Sequence, residues 1–278
     1  MANTIDQSFI TQYDSDVHMA YQQFGSKLRN CVRLKILQPG QIARFPKLGT
    51  GVANTKARNG DVTPMNPVHS NVSVTADDWY APEYVDKLDE LKTNIDERML
   101  MARTGAGALG RKVDSKVITV LNAVTTNAIA TGSTGMSKGK ILQAITALNK
   151  NDVPDDGDRW GVLSAQAWEE FINIAQVSSR DYVNDLNWTR GTQLVNWRGI
   201  KWFFHSGLPL STNTRSNFIF HRTAVGLAEN SQIQTMIDWV PQKAAYLIDS
   251  MMSCGAVVID EQGIVKISCD ESVTTLFT

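Results

Sequence analysis

Between residues 84 and 124 the chain carries a stripe of apolar or small side chains that only a helix brings to one face. Tyr84, Leu88, Leu91, Ile95, Met99, Ala102, Ala106, Leu109, Val113, Val117, Val120 and Val124 follow one another at steps of three or four. The mean step is about 3.6, the helical period. Unbroken, such a helix is about 60 Å long, more than the width of a small globular domain. A break is expected at Lys92-Thr93-Asn94, where Thr93 is placed to cap a new helix with Asp96 three residues on. The expected product is a short helix followed by a spine of roughly thirty residues.

What precedes the stripe is poor in core-forming pattern. The first thirty residues set Asp6, Asp14 and Asp16 among scattered Phe and Tyr, with too weak a helical period to build a core, and read as an arm. Residues 31–48 offer short β-like stretches that Pro39-Gly40 and Pro46 are expected to break. Residues 49–70, GTGVANTKARNGDVTPMNPVHS, are dominated by Gly, Asn, Thr and Pro, and residues 71–75 then alternate like a half-exposed strand. Two strands around a long polar tip form a projecting hairpin. Without a core of its own such a ribbon is marginal in water and needs a surface to lie on.

Beyond the spine, a helix is expected over 137–148, with Ile141, Leu142, Ile145 and Leu148 on one face. A polar loop follows, then a strand over 159–163, a helix over 165–174 and a loop over 176–192. Strands are expected at 199–205 and 217–220, and a hairpin at 255–259 and 264–267 turning at Asp260-Glu261-Gln262-Gly263. Helices and strands mix without the βαβ rhythm of a doubly wound sheet, so the class is α+β.

Charge is informative in its distribution. The 278 residues carry 27 Lys+Arg against 28 Asp+Glu, which gives no whole-chain pull toward nucleic acid or acidic lipid. Along the chain, however, residues 1–60 sum to +5, 61–110 to −5, 111–150 to +5 and 151–190 to −5. Alternating blocks suit complementary contact between copies, and equally suit solvated faces whose sign drifts. No apolar run reaches the ~20 residues of a membrane-spanning helix, and MANTIDQSF lacks a basic start followed by an apolar stretch, so a soluble chain without an export signal is expected. Cys31, Cys254 and Cys269 contain no CxxC pair and fit a reducing compartment without a disulfide framework.

Candidate chemistry fails on context. Gly105-Ala106-Gly107-Ala108-Leu109-Gly110 matches GxGxxG, but that motif binds dinucleotides only as a turn between a buried strand and a helix. Here a charged segment precedes it, helical in period, and the apolar stripe runs through it in phase. The small residues instead let another backbone approach or let the helix bend. Residues 135–141 are one residue short of a phosphate loop and place Ile141 where Ser or Thr must hold magnesium. Asp155-Asp156-Gly157-Asp158 follows Pro154 and lacks the distal Glu of a calcium loop. His18, His69, His205 and His221 form no metal or catalytic spacing. No cofactor, metal or enzymatic activity is expected. Trp188, Trp197 and Trp202 suit either core burial or a protein contact.

Several stretches, in order, resemble the major capsid proteins of tailed bacteriophages with the Hong Kong 97-type fold. Arg44-Phe45-Pro46-Lys47-Leu48-Gly49 resembles the start of that family's extended loop. Trp79-Tyr80-Ala81-Pro82 with Val85-Asp86-Lys87-Leu88-Asp89-Glu90-Leu91 resembles the lead-in to its spine helix. Asn151-Asp152-Val153-Pro154 with Arg159-Trp160-Gly161-Val162-Leu163-Ser164 resembles its passage into the axial domain. Phe204-His205-Ser206-Gly207-Leu208-Pro209 and Phe220-His221-Arg222-Thr223-Ala224-Val225-Gly226 resemble two of its strands. The resemblance covers about residues 33–268, most of the chain.

It implies an N-terminal arm (1–32), an extended loop with flanking strands (33–78), a peripheral domain with the spine helix (79–131) and an axial domain (132–228). Peripheral-domain strands (229–256) and C-terminal strands returning to the axial domain (257–278) complete it. It implies a shell of pentamers and hexamers around double-stranded DNA, in a virion capsid assembled in the host cytoplasm, with portal and scaffolding or decoration proteins as further partners and no membrane. No long N-terminal scaffolding segment is expected, so scaffolding is either a separate protein or the work of the arm. The arm, with only Lys27 and Arg29 against three Asp, is too weakly basic to gather DNA by charge. The basic residues Arg44, Lys47, Lys56 and Arg58 are expected to rest on the acidic stretch holding Asp77, Asp78, Asp86, Asp89 and Asp96 of an adjacent subunit. An encapsulin-like compartment and a nucleotide-dependent enzyme built on residues 105–110 are the alternatives.

Overall fold

The computed structural model describes residues 22–37, 40–90, 96–178 and 194–272. The chain opens with β1 (Arg33–Ile36), β2 (Ile42–Leu48), β3 (His69–Thr75), β4 (Asp77–Asp86) and the short α1 (Lys87–Glu90), then enters the long α2 (Glu97–Ala123). After α2 come β5 (Ala128–Ile129), α3 (Lys138–Lys150), β6 (Arg159–Leu163), α4 (Ala165–Ile172) and α5 (Ala175–Ser178). The remainder is β: β7 (Val195–Trp197), β8 (Ile200–Phe204), β9 (Leu210–Ser211), β10 (Thr214–His221), β11 (Val225–Val240), β12 (Ala245–Val258) and β13 (Ile264–Asp270). No helix among the described residues is long and apolar enough to cross a membrane. Mixed helices and largely antiparallel sheets make an α+β protein, as the pattern predicted.

The spine is 27 residues long. Its upstream stripe differs from expectation: Tyr84 lies in β4, Leu88 in the one-turn α1, and Leu91 with Thr93 outside the described residues. Three-to-four spacing over eight residues does not exclude a strand, and the run DDWYAPEYVD, with three aromatics, Val and a Pro, favours extended chain. At the helix start it is Asp96 whose Oδ1 accepts the Met99 N–H at 3.2 Å, the role of an N-cap.

Two units divide the chain. The first comprises residues 1–25, 78–111 and 232–252, and the second residues 26–77, 112–231 and 253–278. In the first, β4 lies beside β12, which lies beside β11. A 3-10 turn over Pro241–Lys243 ends at Ala244 with φ of 48° and joins the last two strands. Trp239 and Tyr246 pack edge to face at 5.0 Å, and the Lys243 ammonium stands 3.7 Å from the Tyr84 ring centre, a cation–π contact.

In the second unit a sheet runs β5-β13-β10-β6-β8-β7, with β9 beside β10. Its central strand β10 is antiparallel to both β13 and β6, while β6 and β8 are parallel. Such a strand is covered on both faces, and residues 216–221 are all buried. α3 and α4 are capped by Ser137 and Ser164, whose hydroxyls accept the N–H groups of Lys140 and Ala167. They contribute Ile141, Leu148, Trp168 and Phe171 to a core shared with Trp202, Ile219 and Val265. Trp202 fits because Gly161 has no Cβ, which would stand 2.3 Å from the indole. Trp197 packs on Phe171 at 5.7 Å, so both described Trp of the 188–202 region serve the core, while Trp188 lies outside the described residues.

Two further expectations are corrected. β12 belongs to a four-stranded sheet of order β1-β11-β12-β4 and β13 to the other sheet, so 255–267 is no hairpin. A 3-10 turn over Glu261–Gly263 carries the chain from one sheet to the next. Pro46 does not break β2, because in a two-stranded ribbon both strands are edges and a missing N–H costs no ladder bond.

Candidate functional site

The ribbon is present as expected: β2 and β3 pair antiparallel from Ile42–Thr75 to Leu48–His69, and the Gly49 N–H reaches the Val68 carbonyl at 2.8 Å. Its two ends differ. At the base Ala43, Phe45 and Ala76 are buried with Leu37, Ala228 and Ile259, so at that end the surface the ribbon needs is supplied by its own subunit. Phe45 is seated because Gly226 offers no Cβ, which would meet the ring at 2.7 Å. Gly255 likewise lets the Thr75 carbonyl approach, since a Cβ there would stand 2.3 Å from it. Toward the tip Val52, Val62 and Val68 are about three-quarters exposed and Met65 about half.

The expected ionic residues are distributed as follows. Arg44, Lys56 and Arg58 are exposed, on β2 and in the tip. Lys47 pairs with Asp260 of the same chain at 3.0 Å. Asp77 pairs with Lys116 at 2.7 Å. Asp78, Asp86, Asp89 and Asp96 are exposed, and Asp86 also accepts the Leu88 N–H at 2.7 Å.

The glycine run lies wholly within α2, so its N–H groups are spent in the helix and offer nothing to a pyrophosphate. Its small residues serve close approach. A Cβ on Gly110 would lie 2.6 Å from Gly25, one on Gly107 would lie 3.2 Å from the Phe24 ring, and one on Gly105 would meet Ser250 at 3.0 Å. Arg111 holds the same strap, donating to Gln22 Oε1 at 2.8 Å and to the Gln23 carbonyl at 3.0 Å. In the second unit residues 26–28 are clasped by Asp114, 1 % exposed. Its carboxylate accepts the Ser26 hydroxyl and the N–H groups of Lys27 at 3.1 Å and Leu28 at 3.0 Å. His205 Nε2 stands 3.0 Å from it. Because His205 Nδ1 accepts the Gly207 N–H at 3.0 Å, the proton sits on Nε2 and is donated to Asp114. Burial acts to raise the Asp114 pKa, but the bonds from His205, Ser26, Leu28 and Lys27 outweigh it and hold the carboxyl below its ordinary value. This clasp went unread in the sequence. Its signal was a carboxylate on the buried face of α2 and the sole acid among residues 111–150.

The other motifs are also absorbed by structure. Lys140, of the failed phosphate loop, buries its ammonium against the carbonyls of Thr131, Thr134 and Ser268 at 2.7–2.9 Å. Asp156 accepts from His221 at 3.1 Å, and Asp158 pairs with Lys201 at 3.6 Å. Burial pushes the thiols of Cys31, Cys254 and Cys269 up to about 12, 11 and 11, so none is poised as a nucleophile at neutral pH. His69 is exposed on β3, and His18 lies outside the described residues.

A ribbon seated at one end, a strapped spine helix and a separate sheet-centred unit define the Hong Kong 97-type fold. Solved structures with that architecture align over nearly the whole chain. The capsid structure of the Cyanophage P-SCSP1u has a TM-score of 0.77 at 14% identity, covering 97% of this chain and 95% of that one. Mycobacterium phage Che8 gives 0.74 at 17%, over 93% and 97%. The capsid of a native GTA particle computed with C5 symmetry gives 0.75 at 10%, over 97% and 99%. No curated protein sequence matches. The family model described as phage capsid protein matches residues 5–271, and the chain belongs to that family. It is a structural protein of a virion capsid, and neither alternative, encapsulin-like compartment or nucleotide-dependent enzyme, is favoured.

Proposed function

We propose that copies of this chain close as pentamers and hexamers into an icosahedral shell that encloses double-stranded DNA in the host cytoplasm, with a portal and scaffolding or decoration proteins as partners. The first unit corresponds to the peripheral domain and the sheet-centred unit, residues 132–228 above all, to the axial domain. The observation that carries the reading is the ribbon tip, where Val52, Val62 and Val68 are about three-quarters exposed among the described residues, apolar surface that a neighbouring subunit would cover.

In this reading Arg44, Lys56 and Arg58 of one subunit rest on Asp78, Asp86, Asp89 and Asp96 of its neighbour. Lys47 and Asp77 already hold partners in their own chain and fall outside that contact. Each exposed pair is worth about 0.2–1 kcal/mol, but a subunit held by several neighbours at once multiplies small terms. The test is electron microscopy of purified protein beside the double charge reversal Arg44→Glu/Arg58→Glu. Closed shells from the natural chain and unassembled, folded subunits from the variant are expected. Normal shells from the variant would remove the ionic contact, and a natural chain that stays monomeric at high concentration would remove the shell reading.

A further inference from the structure

We propose that the ribbon is aimed by its own subunit, and that Lys47 and Asp260 are positioning residues acting through that seat. The inference rests on the shell reading for its consequence but on separate geometry for its cause. Lys47 is the penultimate residue of β2, where the ribbon leaves the buried base. Its partner is held firmly. The backbone N–H groups of Ile259 and Asp260 both donate to the Ala224 carbonyl, at 2.8 and 3.2 Å, and the Asp260 carboxylate also accepts the Gln262 N–H at 3.2 Å. Asp260 therefore presents a fixed anion from the turn that joins the two sheets.

The same base is held from other sides. Phe45 sits over Gly226, and Lys35 donates its ammonium to the Arg44 carbonyl at 2.8 Å. Ala43 and Phe45 fix where β2 starts, and the Lys47–Asp260 pair fixes the direction in which it continues. Residues 49–58 form one side of the tip and span at most about 35 Å. A swing of about 10° at the base moves the end of such a lever by about 6 Å, enough to carry a side chain off its partner. The two side chains are 39 % and 37 % exposed, and such a pair adds little to folding stability. Its loss is felt where many copies must register together.

The experiment compares Lys47→Glu, Asp260→Lys and the swapped double variant with the natural chain. Each single change is expected to lower the yield of closed shells by roughly tenfold, and the swap to restore it to within about twofold, with unfolding transitions unchanged in all three. If Lys47 instead meets a neighbour's acids, Asp260→Lys alone is harmless and the swap is as defective as Lys47→Glu. That pattern overturns the proposal. Amide exchange in the unassembled chain separates this from failure of the shell reading. Faster exchange at the Gly49 N–H in each single variant, reversed in the swap, supports the aiming pair even where no shell forms, and unaltered exchange sinks it.

Discussion

The two ends of one ribbon obey different physics. At the base Phe45 is 1 % exposed, and at the tip Val52 is 75 % exposed, although only a few residues of the same hairpin separate them. The base is a part of the subunit core that happens to be extended. The tip contributes nothing apparent to that core, and its apolar side chains are costs to a lone molecule. Subunit stability and subunit association are thereby assigned to different residues of one element, and substitutions at the two ends should dissociate the two properties.

The strongest break is Phe45→Ala. Removing a buried aromatic side chain costs about 3–5 kcal/mol, and here the vacated space lies over Gly226, which has no side chain to fill it. Denaturant unfolding of the unassembled subunit is expected to show that loss, with raised exchange throughout β2 and β3. Val62→Ser and Val68→Ser, by contrast, should leave the transition within about 0.5 kcal/mol while lowering assembly. Equal destabilisation by both kinds of change would mean that the ribbon is one cooperative piece.

Asp114→Asn is expected next in size, about 1.5–3 kcal/mol, the range for hydrogen bonds to a charged group. It also has a pH signature. The folded carboxyl titrates below its ordinary value, so its stabilisation is present in full above the usual carboxylate range, about pH 4. It is lost as the pH falls through the lowered folded value. The natural chain should therefore lose stability on acidification more steeply than Asp114→Asn, as measured by unfolding at a series of pH values. Exchange at the N–H groups of Lys27 and Leu28 should rise along with it, and parallel pH curves for the two proteins would contradict the assignment.

How much of this was legible depended on the range of the interaction. The spine could be read because its period repeats within a few residues, and α3 because Ile141, Leu142, Ile145 and Leu148 share one face. The ribbon could be read because a polar stretch between β-like residues 31–48 and the alternating run 71–75 has few other folds. The seat of Phe45 could not, since Gly226 is remote in sequence and a glycine's lack of a side chain leaves no pattern. Nor could the clasp, whose partners Ser26 and His205 lie 88 and 91 residues from Asp114. The glycines of α2 fell between these cases: their phase in the helix left open either a close backbone or a bend, and nothing local showed that Gly25 comes close. The turn at 260–263 misled because its composition is that of a hairpin, while sheet membership is decided by β10, which claims β13 along its whole length.

The smallest expected effect sharpens the comparison most. Lys116 and Asp77 pair at 2.7 Å just past the exit of β3, with side chains 28 % and 54 % exposed, so their pairing is worth about 0.2–1 kcal/mol. The pair stands on the return side of the ribbon, as Lys47 and Asp260 stand on the outgoing side. The return side, though, is already fixed by Ala76, which is buried and donates its N–H to the Gln41 carbonyl at 2.9 Å. Lys116→Ala should therefore shift denaturant midpoints barely, weaken further in high salt, and leave shell yield unchanged where Lys47→Glu lowers it. If the two pairs proved equally important to assembly, aim would be set by charge around the whole base, and the distinction between a packed side and an ionically guided side would have to be given up.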